Sequence, residues 1–109
     1  MNSLVSELIH ENRNRSIVAA WDSVLGTAEG RLVVWSILED CLLFQQTHHG
    51  NDLDGLRAGM REVGLRILQG RIFPHDARTF SGMQVEHALL MERIQSQAEL
   101  EAQKDHANG

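Results

Sequence analysis

The residues best suited to chemistry in this chain are six histidines, one cysteine, fifteen carboxylates and nine arginines. A metal site needs two ligands on one helix face at i and i+4, or in a tight loop, with a third close by. His10-Glu11 has no second histidine four residues on, so the HExxH arrangement is missing. The densest group is His48-His49 with Asp52 and Asp54. Adjacent loop residues tend to point apart, and Asp52 suits a helix cap better than a metal, so metal binding there is not favoured. Cys41 stands among Leu38, Leu42 and Leu43, with no histidine beside it to activate a nucleophile, and reads as a packed apolar residue. A single cysteine also excludes an intrachain disulfide. His87 falls on the apolar face of the last helix, where the expectation is a core-edge histidine bonded to a backbone carbonyl. No glycine loop is followed by the Lys-Ser/Thr that phosphate binding requires. The chain therefore reads as non-enzymatic, with no catalytic residues, cofactor or metal.

The charge balance narrows the partners. The net charge is −5, with 42% hydrophobic and 23% charged residues, which is an ordinary globular composition. An acidic chain is poorly suited to broad attraction to nucleic acid or anionic lipid. Nine of the ten basic residues are Arg and only Lys104 is Lys. Arginine pairs with carboxylates through a planar fork at partly buried sites, so the bias fits ion-paired helix surfaces and protein interfaces; a GC-rich coding sequence is the plain alternative. Arg57 and Arg61 share a helix face, with Arg66 and Arg71 further round, but no aromatic residues interleave for base stacking. Contact with nucleic acid is possible but not favoured.

Helices must position these groups. Apolar residues recur at helical spacing almost throughout, tyrosine is absent and Pro74 is the only proline, which argues against a sheet protein. Four helices are expected, at about 3–25, 28–43, 52–70 and 79–104, in a small irregular or orthogonal all-α bundle. The first carries Leu4, Val5, Leu8 and Ile9, then Ile17, Val18, Trp21, Val24 and Leu25, with a break or a solvent-exposed stretch expected at Asn12–Arg15 and a stop at Gly26. Thr27 is the expected N-cap of the second, which is the most buried by its apolar content. Phe44 to Asn51 reads as a polar loop, and Asn51 or Asp52 as the cap of the third helix. Its expected core stripe is Leu56, Met60, Val63, Ile67 and Leu68, with Glu62 and Arg66 as an i, i+4 ion pair. Gly55 and Gly59 share a face suited to a close helix–helix contact. Arg71 to Arg78 is expected to be a loop around Pro74. A single helical domain of residues 1–100 is expected, followed by a polar, frayed tail at 101–109. No apolar run approaches the length of a membrane span, and no targeting segment is visible at the N-terminus.

Two stretches in this order resemble a known family. Thr27-Ala28-Glu29-Gly30-Arg31-Leu32-Val33-Val34-Trp35-Ser36-Ile37-Leu38-Glu39-Asp40-Cys41 is similar to its first motif, and Gly59-Met60-Arg61-Glu62-Val63-Gly64-Leu65-Arg66-Ile67-Leu68 to its second. The family comprises small tailed-bacteriophage proteins, first named in a Bordetella phage and usually described as head-associated. The resemblance spans about residues 22–70. Ala28 stands where the family usually has proline, Ala58 where it has glutamate, and Met60 where it has the first arginine of a pair.

The resemblance implies a virion protein present in several copies, structural in the head near the portal vertex or ejected with the DNA. It would occupy the virion, and the host cytoplasm before assembly. Its expected partners are copies of itself and other virion proteins: portal, coat or ejection proteins. Arg31, Arg57, Arg61, Arg66, Gly59 and Gly64 are the candidate protein-interaction residues. Arg31, Arg61 and Arg66 are expected to bridge to carboxylates such as Glu39 or Asp40, or to a neighbouring subunit. The rival reading is a small helical regulator that binds DNA or a host protein through the third helix.

Overall fold

The computed structural model describes residues 2–108, Asn108 by its backbone alone. The described residues form an all-α bundle without strands. Helix α1 spans Asn2–Leu25, α2 Ala28–Asp40 and α3 Asp54–Ile67. A π-helical segment, Leu68–Ile72, leads into the single turn α4, Phe73–His75, and α5 spans Thr79–Asn108.

Local chemistry explains these boundaries. The Thr27 hydroxyl accepts from the Gly30 amide at 3.0 Å, the N-cap expected from the sequence, with Glu29 in the first turn. Gly26 ends α1 without entering the left-handed region. Helix α2 stops at Asp40 rather than Leu43. Its end is a Schellman motif, in which the Leu43 amide donates to the Leu38 carbonyl and the Leu42 amide to Glu39. Leu42 occupies the left-handed position at φ 60°, where glycine is usual, so no glycine marks the turn in the sequence.

Three other expectations are narrowed or corrected. First, α1 runs through Asn12–Arg15 without a break, and of the two outcomes expected there the solvent-exposed stretch holds. The Ser16 hydroxyl donates to the Asn12 carbonyl, Glu11 and Arg15 make an exposed i, i+4 pair at 4.0 Å, and the arginines lie in solvent, where like charges cost little. Second, neither Asn51 nor Asp52 caps α3 through its side chain. The N-cap is Leu53, and Asp54 opens the helix. Third, the chain from Arg71 to His75 is helical rather than part of a loop. Proline lacks an N–H and its ring crowds the carbonyl four residues back. A π turn just before Pro74, where the Phe73 amide reaches the Leu68 carbonyl, carries the helix past it.

The core is small. Leu25, Val34, Trp35, Leu38, Ile72 and Met83 are buried, with Trp21, Leu43, Ile67, Leu68 and Phe80 packed against them. Helix α2 supplies three of the six, yet Leu32, Val33 and Ile37 on its other sides remain exposed. Of the stripe expected on α3, Ile67 and Leu68 reach the core, whereas Leu56, Met60 and Val63 are exposed. The inward face of α3 instead carries the half-buried Arg57, Arg61 and Leu65 and the buried Gly64.

Two long arms leave this core. Every residue of 2–16 and of 91–107 is exposed, and α5 stays helical through Asn108 rather than fraying after residue 100. The radius of gyration is 19.8 Å, and the principal extents are 76 × 39 × 25 Å. A compact chain of this length has a radius near 13 Å.

Candidate interaction surface

The site begins at the corner between α1 and α2. A Cβ built on Gly30 would overlap the Val24 carbonyl oxygen, so only glycine lets the start of α2 seat against the end of α1. One residue on, the Arg31 Nη1 donates to the Leu25 carbonyl at 2.9 Å and its Nε to Glu86 at 2.8 Å. A single guanidinium thus satisfies an end carbonyl of α1 and ties α5 to the corner. The expected partners Glu39 and Asp40 are wrong. They sit at the far end of α2, and the true carboxylate lies on a helix 55 residues away in sequence.

Beyond the corner, Trp35 is the hub of an aromatic stack. Its ring lies 4.7 Å from Phe44, 5.9 Å from Phe80 and 5.0 Å from His87, all within 25° of parallel. His87 thus lies at the edge of the core as expected, but it is held by stacking on Trp35, with no ring-to-carbonyl bond among the described residues. The Trp35 Nε1 is buried with no hydrogen-bond partner among the described residues. Between α2 and α5 a groove of about 530 Å³ opens over this stack, its apolar walls including Leu32, Trp35, Met83 and Leu90. Arg93, Glu29 and Glu92 stand at its edge.

The remaining candidate residues are dispersed. Arg57 binds Asp54 at 3.2 Å and the Asn51 side chain at 3.0 Å, bracing the loop before α3. The same Asp54 carboxylate accepts from the His49 and Gly50 amides at 2.8 and 2.9 Å and approaches His48 Nδ1 at 3.0 Å. These contacts, the His49 amide foremost, hold the Asp54 pKa below its ordinary value despite a smaller opposing effect of burial. The His48-His49 cluster is thus organised by Asp54, and among the described residues no group of three or more His, Cys, Asp or Glu side chains could hold a metal ion. Arg66 and Glu62 form the expected i, i+4 pair at 3.5 Å, both well exposed. Arg61 is half-buried and has no ion pair among the described residues. Arg71 stacks over Trp21 at 5.9 Å, and His75 meets Asp22 at 2.8 Å, pinning the end of α1 to the π segment.

The glycines divide in a way the spacing did not reveal. Gly55 and Gly59 face open space, with nothing within 4 Å of an added Cβ, so they make no close contact within the chain. Gly64 does: a Cβ there would lie 2.9 Å from the Cβ of Cys41, at the end of α2. Cys41 is half-buried against it, which fits a packing role. Gly30 was not singled out from the sequence, although it stands in the first motif one residue before Arg31.

Fold and surface together define a small all-α bundle with a latched corner, an open groove and two bare helical arms. The family model for Bbp19-like phage proteins matches residues 21–84, more than half of the chain, and the chain belongs to that family. The matched span holds the α1–α2 turn with Gly30 and Arg31, the stacked rings of Trp35, Phe44 and Phe80, and the π turn, and excludes Glu86, His87 and both arms. Among curated proteins and among solved structures, none matches the chain. No described helix is long and apolar enough to cross a membrane.

Proposed function

We propose that this protein is a non-enzymatic component of the phage particle, associated with the head near the portal vertex or ejected with the DNA. It works by contact with copies of itself and with portal, coat or ejection proteins. The observation that carries this reading is the mismatch between core and surface in a phage-family chain. Among the described residues six side chains are buried, while Leu4, Val5, Leu8 and Ile9 on α1 and Val85, Leu89, Met91, Ile94 and Leu100 on α5 lie bare. Apolar patches of this extent mark surfaces that another protein covers. Regulation through DNA is less well supported, because Arg57 and Arg66 of α3 are engaged with Asp54 and Glu62. Mass spectrometry of purified particles of the encoding phage tests the proposal. Stoichiometric presence is expected, and absence from particles that contain the portal and coat proteins would remove it.

A further inference from the structure

The direction in which α1 presents its apolar residues identifies a docking pair. At about 100° per residue, Leu4, Val5, Leu8 and Ile9 lie on one side of α1, and Ile17, Val18, Trp21, Val24 and Leu25 lie roughly 170° away. Because α1 is unbroken, only the second group can turn towards this chain's own core, and Trp21 and Leu25 do so. The first group faces away along an arm in which no residue from 2 to 16 is buried. The same chain also carries the open apolar groove between α2 and α5, large enough for several aliphatic side chains.

We propose that the α1 arm of one copy docks in the α2–α5 groove of a second copy, Leu4 and Leu8 seating against Leu32 and Leu90. Two observations point to a second copy as the occupant. The first is area: the chain exposes 8200 Å². A compact monomer of its mass exposes only about 6,100 Å². The surplus of about 2,000 Å² per chain is in the range that permanent subunit interfaces cover. The second is complementarity of shape. An amphipathic helix lays its apolar face into a groove of this kind; Leu4, Val5, Leu8 and Ile9 give the arm such a face over two turns, and one molecule supplies both halves. This self-docking deepens the assembly reading, but it is a property of the isolated chain and is tested separately from presence in the particle.

Sedimentation velocity on the full chain is expected to show a dimer or a closed ring. Leu8→Asp on the arm and Leu32→Asp in the groove, both at exposed positions, are each expected to weaken association about tenfold or more while the helical circular dichroism stays unchanged. A Cys41→Ser background fixes the pairing. Leu8→Cys chains mixed with Leu32→Cys chains are expected to cross-link on oxidation, and Leu8→Cys alone to stay single. A monomer at high concentration overturns the proposal, as does association that survives both Asp substitutions. Efficient Leu8→Cys self-cross-linking also overturns it, because arm would then pair with arm. A monomer that is nevertheless found in particles removes self-docking and leaves the virion reading intact; a self-docking chain absent from particles does the reverse.

Discussion

Gly30 sits against the Val24 carbonyl so closely that the start of α2 and the end of α1 meet backbone to backbone. Neither helix can yield, because Thr27 caps one at 3.0 Å and Arg31 holds the Leu25 carbonyl of the other at 2.9 Å. Gly30→Ala is therefore expected to destabilise the chain by about 2 to 4 kcal/mol, as overpacking against backbone does. Thermal unfolding followed by circular dichroism measures this, and an unchanged melting temperature would show that the corner opens freely.

Arg31 separates two contributions. Glu86 is nearly half exposed, so its removal loses a pair that solvent already screens; Glu86→Ala is expected to cost under about 1 kcal/mol. Arg31→Ala also strips the Leu25 carbonyl of its donor next to a buried side chain, and about 1 to 3 kcal/mol is expected. The order of the two single variants in urea unfolding is the test. Equal losses would mean that the carbonyl bond contributes nothing.

The contrast between these residues shows what the sequence could carry. The Thr27 cap and the Glu62–Arg66 pair depend on neighbours three or four positions away, and both were legible. The Arg31–Glu86 contact joins residues that only the folded chain brings together, so spacing pointed to the wrong carboxylates. Leu42 takes a left-handed turn without glycine, and the π segment carries a helix up to proline. In each case tertiary packing overrode the local signal that set the expected boundary. The two apolar groups of α1 were legible as groups. That they face opposite ways depends on the helix being continuous, which the run of poor helix formers at Asn12–Arg15 concealed.

The glycines of α3 offer a paired test. Gly59→Ala meets no atom within 4 Å and removes unfolded-state freedom, so a gain of about 0.5 to 1 kcal/mol is expected. Gly64→Ala places a Cβ 2.9 Å from that of Cys41, and a loss of about 1 to 3 kcal/mol is expected. Differential scanning calorimetry on the two variants should move in opposite directions. If Gly59→Ala instead destabilised the isolated chain, the open face of α3 described above would be wrong.

Asp54 gives a pH signature. Its folded pKa lies below the ordinary 3.8, chiefly because the His49 amide bonds the charged carboxylate. A depressed acid contributes fully above its unfolded pKa and loses that contribution as pH falls through the folded value, so the loop before α3 should loosen only below about pH 4. The amide shifts of His49 and Gly50 in NMR spectra are expected to titrate together with a midpoint under 3.8. In Asp54→Asn that shared inflection should vanish. A midpoint at or above the ordinary value would mean that the two amides do not bond the carboxylate in solution.

Trp35 combines a favourable role with an unfavourable one. Stacking against Phe44, Phe80 and His87 fills the floor of the α2–α5 groove, and Trp35→Ala is expected to cost about 3 to 5 kcal/mol through the cavity it leaves. Its Nε1, however, is buried without a partner, which costs free energy in the folded state. Trp35→Phe keeps a ring in the stack and removes that orphan donor, so the lost ring area is partly offset and a net cost under about 1.5 kcal/mol is expected. Urea unfolding of the two variants distinguishes packing from polarity. If Trp35→Phe were as damaging as Trp35→Ala, the indole nitrogen must be bonded in solution, and the groove floor would be polar where its lining indicates an apolar surface.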